Sequence, residues 1–522
     1  MSALSVPLPW WARALRLEFK RNAVPYALPL LAAVFYFDTL RTADGFPPVW
    51  TLRASVIPDH MLIEFSAFAG GLAAWAGSRE GRRKTLDLVA TTPRAAWARH
   101  SIALAGTLCW LLPAFLAGVA ALYIQTAVQA TWGEPPLWPV LVGAAGVTVV
   151  TVIGFTCGVF WPGRFTAPLV AVGVLVLNLA GFREALGVTA SSGTYALLSP
   201  DSSPPPVDAG VYYHVPPDVS IVQVMFMGGI AVALVGVLGL ATGLRQAGSA
   251  GGRASPRTAL ARRDGGSLRV AAVVLAACGV AASGTAFALA GTARPEAAGG
   301  WGIPALHSAA SDRLVPATQD CTSGSAFRVC VHPAFSFYLD DVAAALDPVA
   351  TQIAGLPGAP TGAREMASVS GGQNAWSGIS GNPPVFDFTA ENVGTTYGEF
   401  DGIRQTMYID SGITPDAAAW REGFQQGLLD AFLTRPSQHA GPVPLDAEQQ
   451  AVEDALMTAA GSQPQEPASQ MSVNGKPAPG TLAAVSAAAR RFAALPASAR
   501  HAWLATHLTA LRAGTITLAQ LP

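Results

Sequence analysis

Seven stretches of this chain are apolar enough, for long enough, to cross a lipid bilayer. They lie at approximately 23–40, 61–78, 102–125, 138–160, 165–182, 220–244 and 270–293. A crossing helix needs roughly 20 mostly apolar residues. Lipid offers no water to exposed peptide groups, so such stretches form helices whose backbone bonds close within the segment. The expected fold class is therefore an α-helical polytopic membrane protein. Charge agrees: only 12% of the 522 residues are Asp, Glu, Lys or Arg, where a soluble domain carries about 25%. Mean hydropathy is +0.37. The first stretch is the most diluted, by Tyr26, Tyr36 and Asp38. No cleavable signal peptide is expected before it.

Residues 9–21, PWWARALRLEFKR, read as an amphipathic helix ahead of the first span. Trp10, Trp11, Leu15 and Phe19 give it an apolar side, and Arg13, Arg16, Lys20 and Arg21 a basic one. Such a helix lies among lipid headgroups; the plainer alternative is a cytoplasmic lead-in. Basic residues set the orientation. With the N-terminus in the cytoplasm, the inner segments carry 17 Lys and Arg, and the outer loops carry three, Arg41, Arg53 and Arg183. Seven crossings of the cell membrane then place everything after the last span outside. The basic residues are arginine apart from Lys20, Lys84 and Lys476, a usage expected of a high-GC bacterial genome.

The outer part, 294–522, holds 20 acidic and 12 basic residues and is long enough to bury its own core. Leu339, Val342, Leu346, Val349 and Ile353 recur at helical spacing, with Gly355 as a stop. Thr414-Pro415-Asp416 opens a second helix through Trp420, Phe424, Leu428 and Phe432. Further helices are expected near 446–459 and before Gly514, and strands at 384–390 and 403–410. The domain is expected to be α+β and helix-rich. Residues 245–269 are rich in Gly, Ser and Arg and read as a flexible cytoplasmic linker. Residues 294–318 read as an extended stalk. The expected division is a connecting helix at 1–22, a six-helix unit at 23–244, the linker at 245–269, a seventh span at 270–293 and the extracytoplasmic domain at 294–522.

Cys321 and Cys330 bracket a polar segment and are expected to pair if it faces an oxidising compartment. Cys109, Cys157 and Cys278 lie in apolar runs and read as packing residues. A zinc peptidase needs H-E-x-x-H, which puts two imidazoles on one helical face beside a glutamate base. His307, His332, His439, His501 and His507 supply no such pair, and no G-x-S-x-G marks a serine nucleophile. No enzymatic activity, cofactor or metal is expected. His332, before Pro333, reads as a structural residue packed near Cys330. Within the spans, Glu64 and Asn178 are the polar residues to weigh as functional. Glu64 lies close to Asp59 and His60 and equally suits the membrane interface.

The densest basic stretch, SREGRRKTLDLVATTPRAAWARH at 78–100, invites comparison with a phosphate-gripping loop. That loop requires G-x-x-x-x-G-K-[ST] between a strand and a helix. Here Lys84 follows Arg83, a membrane span precedes it, and the chain's Gly475-Lys476 pair is followed by Pro477. Instead Glu80, the basic turn Arg82-Arg83-Lys84, then Thr85, Leu86, Asp87 and Pro93 resemble the intracellular loop of type-2 ABC transporter permeases. The common form there is an acid, a basic residue, then G-T-L-[ED]-x-L-L-x-[TS]-P. The resemblance implies a short coupling helix that docks on a separate ATPase subunit, with 9–21 placed like the family's connecting helix. It covers roughly 9–244. Lys84 stands where the family has glycine, and seven spans replace six.

What the resemblance implies is the membrane subunit of an exporter. It would be paired with a second permease copy, the same or related, and would move a hydrophobic or amphiphilic substrate such as a lipid, peptide or antibiotic. Membrane lipid is an expected partner and nucleic acid is not. The outer domain is similar to metallopeptidase-like modules carried by some bacterial permeases, with the metal motif lost. The alternative function is a membrane-anchored extracytoplasmic binding or sensing protein, or an inactive peptidase-like module. The alternative for the loop is a basic segment that only fixes topology or meets anionic lipid.

Overall fold

The computed structural model describes residues 9–44, 48–83, 95–185, 197–199, 210–249, 256–295, 301–323, 326–367, 378–388, 417–434, 445–462 and 481–522. The N-terminal half is helical. Helix α1, Trp10–Arg21, is followed by α2, Val24–Val34, which continues through a π-helical turn, Phe35–Leu40, into Arg41–Asp44. Then come α3 (Leu62–Gly77), α4 (Ala96–Gln129), α5 (Leu137–Phe160), α6 (Thr166–Ala185), α7 (Asp218–Ser249) and α8 (Pro256–Ala290). Four helical stretches are long and apolar enough to cross a membrane: α4, α5, Asp218–Thr242 of α7 and Ser267–Ala290 of α8. A fifth arises if α1 and Val24–Ala43, bent by 57°, count as one span. Leu62–Gly77 and Thr166–Leu179 are shorter apolar helices.

Helix directions alternate. Trp50 meets Tyr123 while Phe65 meets Phe115, so α3 and α4 are antiparallel. Asn178 reaches Ser66 while Ala171 faces Gly71, so α6 is antiparallel to α3. Gly229 lies against Gly279 and Gly236 against Ala272, so α7 and α8 are antiparallel.

Three expectations are corrected. The second span was expected to begin near 61, yet helix runs without a break from Trp50–Val56 through a π turn at Ile57–Met61 into α3. Arg53, counted with an outer loop, is therefore helical, and only 3% of it is exposed. The linker expected at 245–269 is largely helix, because α7 runs to Ser249 and α8 begins at Pro256. Ala, Leu and Arg are strong helix formers, and over 256–269 they outweigh the scattered Gly and Ser. Finally, residues 301–315 are not an extended stalk. They fold back onto the helices: Ile303 is buried with Leu197, Leu198, Val222, Ala286 and Ala290.

The C-terminal domain is α+β. Strands β1 (Arg294–Pro295) and β2 (Trp301–Gly302) pair at its entrance. A five-stranded sheet follows, from β3 (Asp320–Cys321), β4 (Arg328–Val331), β5 (Gly362–Glu365), β6 (Gly378–Ser380) and β7 (Val385–Phe388), in the order β3-β4-β5-β7-β6. The β4–β5 and β5–β7 pairs are parallel, and the edge pairs are antiparallel. Cys321 and Cys330 are register partners across β3 and β4 and form a disulfide. Helix α9, Leu339–Ile353, crosses from β4 to β5 and stops at Gly355, which takes φ +78°. The expected helices at 446–459 and before Gly514 are α11 (Ala447–Ala459) and α13 (Ala497–Arg512). They pack with α10 (Ala417–Leu433) and α12 (Thr481–Ala494). Phe386, Phe388, Phe424, Phe432 and Phe492 are fully buried in this core. The strand expected at 403–410 and the helix start at 414–416 lie outside the described residues.

The membrane helices approach through small residues. A Cβ on Gly154 would be driven into the Gly70 carbonyl, one on Gly158 into that of Ala74, and one on Gly77 into that of Phe155. Such contact lets dispersion hold helices that lipid would not push together. Gly154→Ala is therefore expected to destabilise the bundle by about 1–3 kcal/mol, the usual cost of overpacking. Gly173→Ala, on α6 with nothing within 4 Å of the added carbon, is the matched control. Thermal unfolding of both variants in one detergent checks this, and equal midpoints would refute the close contact.

Candidate functional site

The loop singled out by sequence is partly described. Lys84, Thr85, Leu86, Asp87 and Pro93 lie outside the described residues. Its root is well defined. Arg79–Arg82 forms a helical turn just beyond α3, and Glu80 in it is half-buried. Arg82 stacks over the Trp75 ring, 3.3 Å from its centroid, and donates to the Trp75 carbonyl at 2.9 Å. Gly81 lies against Pro162, in the turn between α5 and α6, while Arg83 is exposed.

This root is fastened to α1, a connection the sequence reading missed. Both terminal nitrogens of Arg79 donate to the Glu18 carboxylate, at 2.9 and 2.8 Å. Phe19 stacks on Trp110 of α4 with centroids 4.2 Å apart, and the Trp110 indole donates to the Phe19 carbonyl at 2.9 Å. Asn22 ends α1 and begins α2: its Oδ1 accepts from the Val24 N–H at 3.0 Å, and its Nδ2 donates to Thr107 at 3.1 Å. One signal for this was present. Glu18 is the single acid in an otherwise basic amphipathic helix. Trp10, Trp11, Leu17, Arg13, Arg16, Lys20 and Arg21 stay exposed, so the anchored helix still presents both apolar and basic surface.

Of the two intramembrane residues, Asn178 has a structural partner: it donates to the Ser66 hydroxyl at 2.6 Å and ties α6 to α3. Glu64 is half-buried in the first turn of α3, now fourteen residues into a helix that starts at Trp50.

Two clusters in the outer half were not foreseen. At the start of α7, Asp218 is fully buried. Its Oδ2 accepts from the Ile303 N–H at 3.1 Å and lies 3.0 Å from His307 Nδ1, while His307 Nε2 is 3.1 Å from Asp312. His332 is the other surprise: rather than packing only beside Cys330, it is 1% exposed between Trp132 and Tyr212.

Inside the domain, Asp430 on α10 and Glu453 and Asp454 on α11 form a buried carboxyl group cluster, with Gln450 donating to Glu453 at 2.7 Å and to Asp454 at 3.0 Å. Among the described residues no three His, Cys, Asp or Glu side chains could together hold a metal ion. Compared with known proteins, the chain matches no family model, no curated protein and no solved structure.

Two outcomes follow. The Glu18–Arg79 pair is about a quarter exposed on each side, so its coupling is discounted to about 0.5–1 kcal/mol. A double-mutant cycle with Glu18→Gln and Arg79→Gln should read that coupling in thermal unfolding, and strictly additive losses would show the pair to be inert. In the carboxyl cluster, burial pushes Asp430 up to about 6 and Glu453 well above the carboxylate range. A raised carboxyl is held protonated, so its stabilisation is full below about pH 4 and is lost as pH rises through the raised values. Glu453→Gln, neutral at every pH, should raise the domain's Tm at pH 8 by about 2–4 °C and change it little at pH 4. A Tm difference independent of pH would refute the protonated cluster.

Proposed function

We propose that this chain is the membrane subunit of an exporter of the ABC type, driven by a separate ATPase. In this reading the cell membrane is crossed seven times, with α1 and residues 84–94 in the cytoplasm and 294–522 outside. The alternation of helix directions and the partition of basic residues support that topology. Six spans rarely make a complete pathway, so two copies work together, either two of this chain or this chain and a related one. The substrate is hydrophobic or amphiphilic, suited to spans with few charges.

The observation that carries this reading is the fastening of the loop's root. Residues 79–83 are tied to α1 through Glu18, to α3 by continuity and to the α5–α6 turn through Pro162. A segment that only set topology would need its charges and nothing more. A force applied at 84–94 here is delivered to α1, α3 and α4 at once, which is what a coupling element must do. Exposed Trp10, Trp11 and the basic residues of α1 suit anionic headgroups and keep the lever at the membrane surface.

Replacing residues 84–93 with a Gly/Ser linker should abolish co-purification of an ATPase from mild detergent while leaving the chain folded and inserted. Asp87→Ala or Glu80→Ala should keep binding but lower the ATPase's stimulation, by tenfold or more for a coupling contact. If neither wild type nor variant brings down an ATPase, the exporter reading fails and the chain is a membrane-anchored binding or sensing protein, whose outer domain should then bind its ligand unaffected by either change.

A further inference from the structure

We propose that His332 is an acid-sensitive latch between the C-terminal domain and the membrane helices. The residue sits between β4 and the 3₁₀ turn Pro333–Tyr338. Its ring meets Trp132 nearly edge-on with centroids 5.0 Å apart, Tyr212 at 4.8 Å and Phe335 at 6.4 Å. Trp132 belongs to the connection between α4 and α5, and Tyr212 to that between α6 and α7. One side chain of the domain is thus enclosed by two separate connections of the bundle. The backbone makes the same junction: Thr131 Oγ donates to the Pro333 carbonyl at 2.6 Å, and the Val315 N–H donates to that of Tyr212 at 2.7 Å.

The hydrogen bonds fix the charge state. His332 Nδ1 accepts from the Ala334 N–H at 3.1 Å and so caps the 3₁₀ turn. A ring nitrogen that accepts carries no proton, so the single proton of the neutral ring is on Nε2. Nε2 is buried with no hydrogen-bond partner among the described residues. A second proton can go only to Nδ1, where it would point at the Ala334 N–H. The cap would be lost, and the cation's buried N–H groups would have no hydrogen-bond acceptor among the described residues. The charged ring must therefore turn out to water, vacating the space between Trp132 and Tyr212.

The neighbours do not reverse this. Asp320 on β3 is the one carboxylate whose charge favours the cation. Glu365 on β5 is occupied, accepting the His332 backbone N–H and the Tyr338 hydroxyl at 2.8 Å each. Tyr212 and Tyr338 are uncharged in acid, and Trp132 and Phe335 carry no charge at any pH. Burial outweighs Asp320 and brings the ring down from 6.5 to about 4. A lowered histidine stabilises the docked state above its free value and ceases to do so as pH falls through its docked one. Over the whole titration, from well above pH 6.5 to well below pH 4, the docking equilibrium accordingly weakens by up to about 300-fold. The domain loosens at Trp132 and Tyr212.

The test uses the full chain in nanodiscs with 5-fluorotryptophan, the Trp132 ¹⁹F resonance being assigned with Trp132→Phe. In wild type that resonance should move between pH 7 and pH 3.5 with a midpoint between 4 and 6. His332→Gln, whose amide oxygen can still accept the Ala334 N–H, should leave the resonance fixed. Asp320→Asn, a change at an exposed position that spares the fold if the glutamine variant does not, should lower the midpoint because it removes the charge that favours the cation. A resonance that does not move in wild type overturns the latch. So does one that titrates equally in His332→Gln, or one whose movement vanishes in Asp320→Asn alone, which would assign the titration to the aspartate.

Discussion

Contact of backbone on backbone between α3 and α5 is what the rest of the bundle depends on. Lipid tails are as apolar as leucine, so burying apolar surface gains little between helices, and close dispersion contact has to hold them. Gly70 with Gly154, Ala74 with Gly158 and Gly77 with Phe155 provide that contact over about two turns of α3 and one of α5. With α3 fixed in this way, α6 attaches to it through Gly71 against Ala171 and through the Asn178–Ser66 hydrogen bond. The turn that follows α3 inherits its position from the same contact. Arg79 meets Glu18 because Gly77 lets the end of α3 lie against α5.

Much of this architecture was legible because lipid imposes a strong pattern. All seven apolar stretches fall on helices, and Gly355 and Gly514 end theirs as expected, at φ +78° and +64°. The β7 strand and the Cys321–Cys330 pair were legible too. The misses share a cause: residues judged by local composition were decided by tertiary contact. Arg53 and Pro58 look like a loop, but packing carries the helix through them as a π turn. Residues 301–315 look like a stalk until Ile303 finds the apolar hollow made by Val222, Ala286 and Ala290. The anchoring of α1 by Arg79, Thr107 and Trp110 spans 61 to 91 residues of sequence, and no local pattern reports such a distance.

The C-terminal domain is docked by apolar and polar contacts together, Ile303 in the hollow of Val222, Ala286 and Ala290 with a buried carboxylate beside it. Asp218 begins α7, where a carboxylate is favoured by the helix dipole; it accepts from the Ile303 N–H and lies 3.0 Å from the His307 ring. Tyr212 and Trp132 come from two separate connections of the bundle. A domain attached only by the chain from α8 would move independently of the bundle. Attached also at two connections, it reports the positions of α4, α5, α6 and α7.

Helix α4 joins the two ends. Its 34 residues extend about 51 Å, well beyond a hydrocarbon core of about 30 Å. Its first half carries Gly106, Thr107 and Trp110 against α1. Its last turn leads directly to Thr131 and Trp132 on the domain. Pro113 lies between them and withholds one rung of the helical ladder, so α4 is most easily bent there. The packing just past it opposes bending: Phe115 is fully buried against Gly143 and Phe65, and Gly118 lies against Phe35. A helix braced on both sides of its weakest point moves as one body. A displacement at the start of α4 would therefore arrive at Trp132 as displacement, and the domain's hold on that residue decides whether it follows.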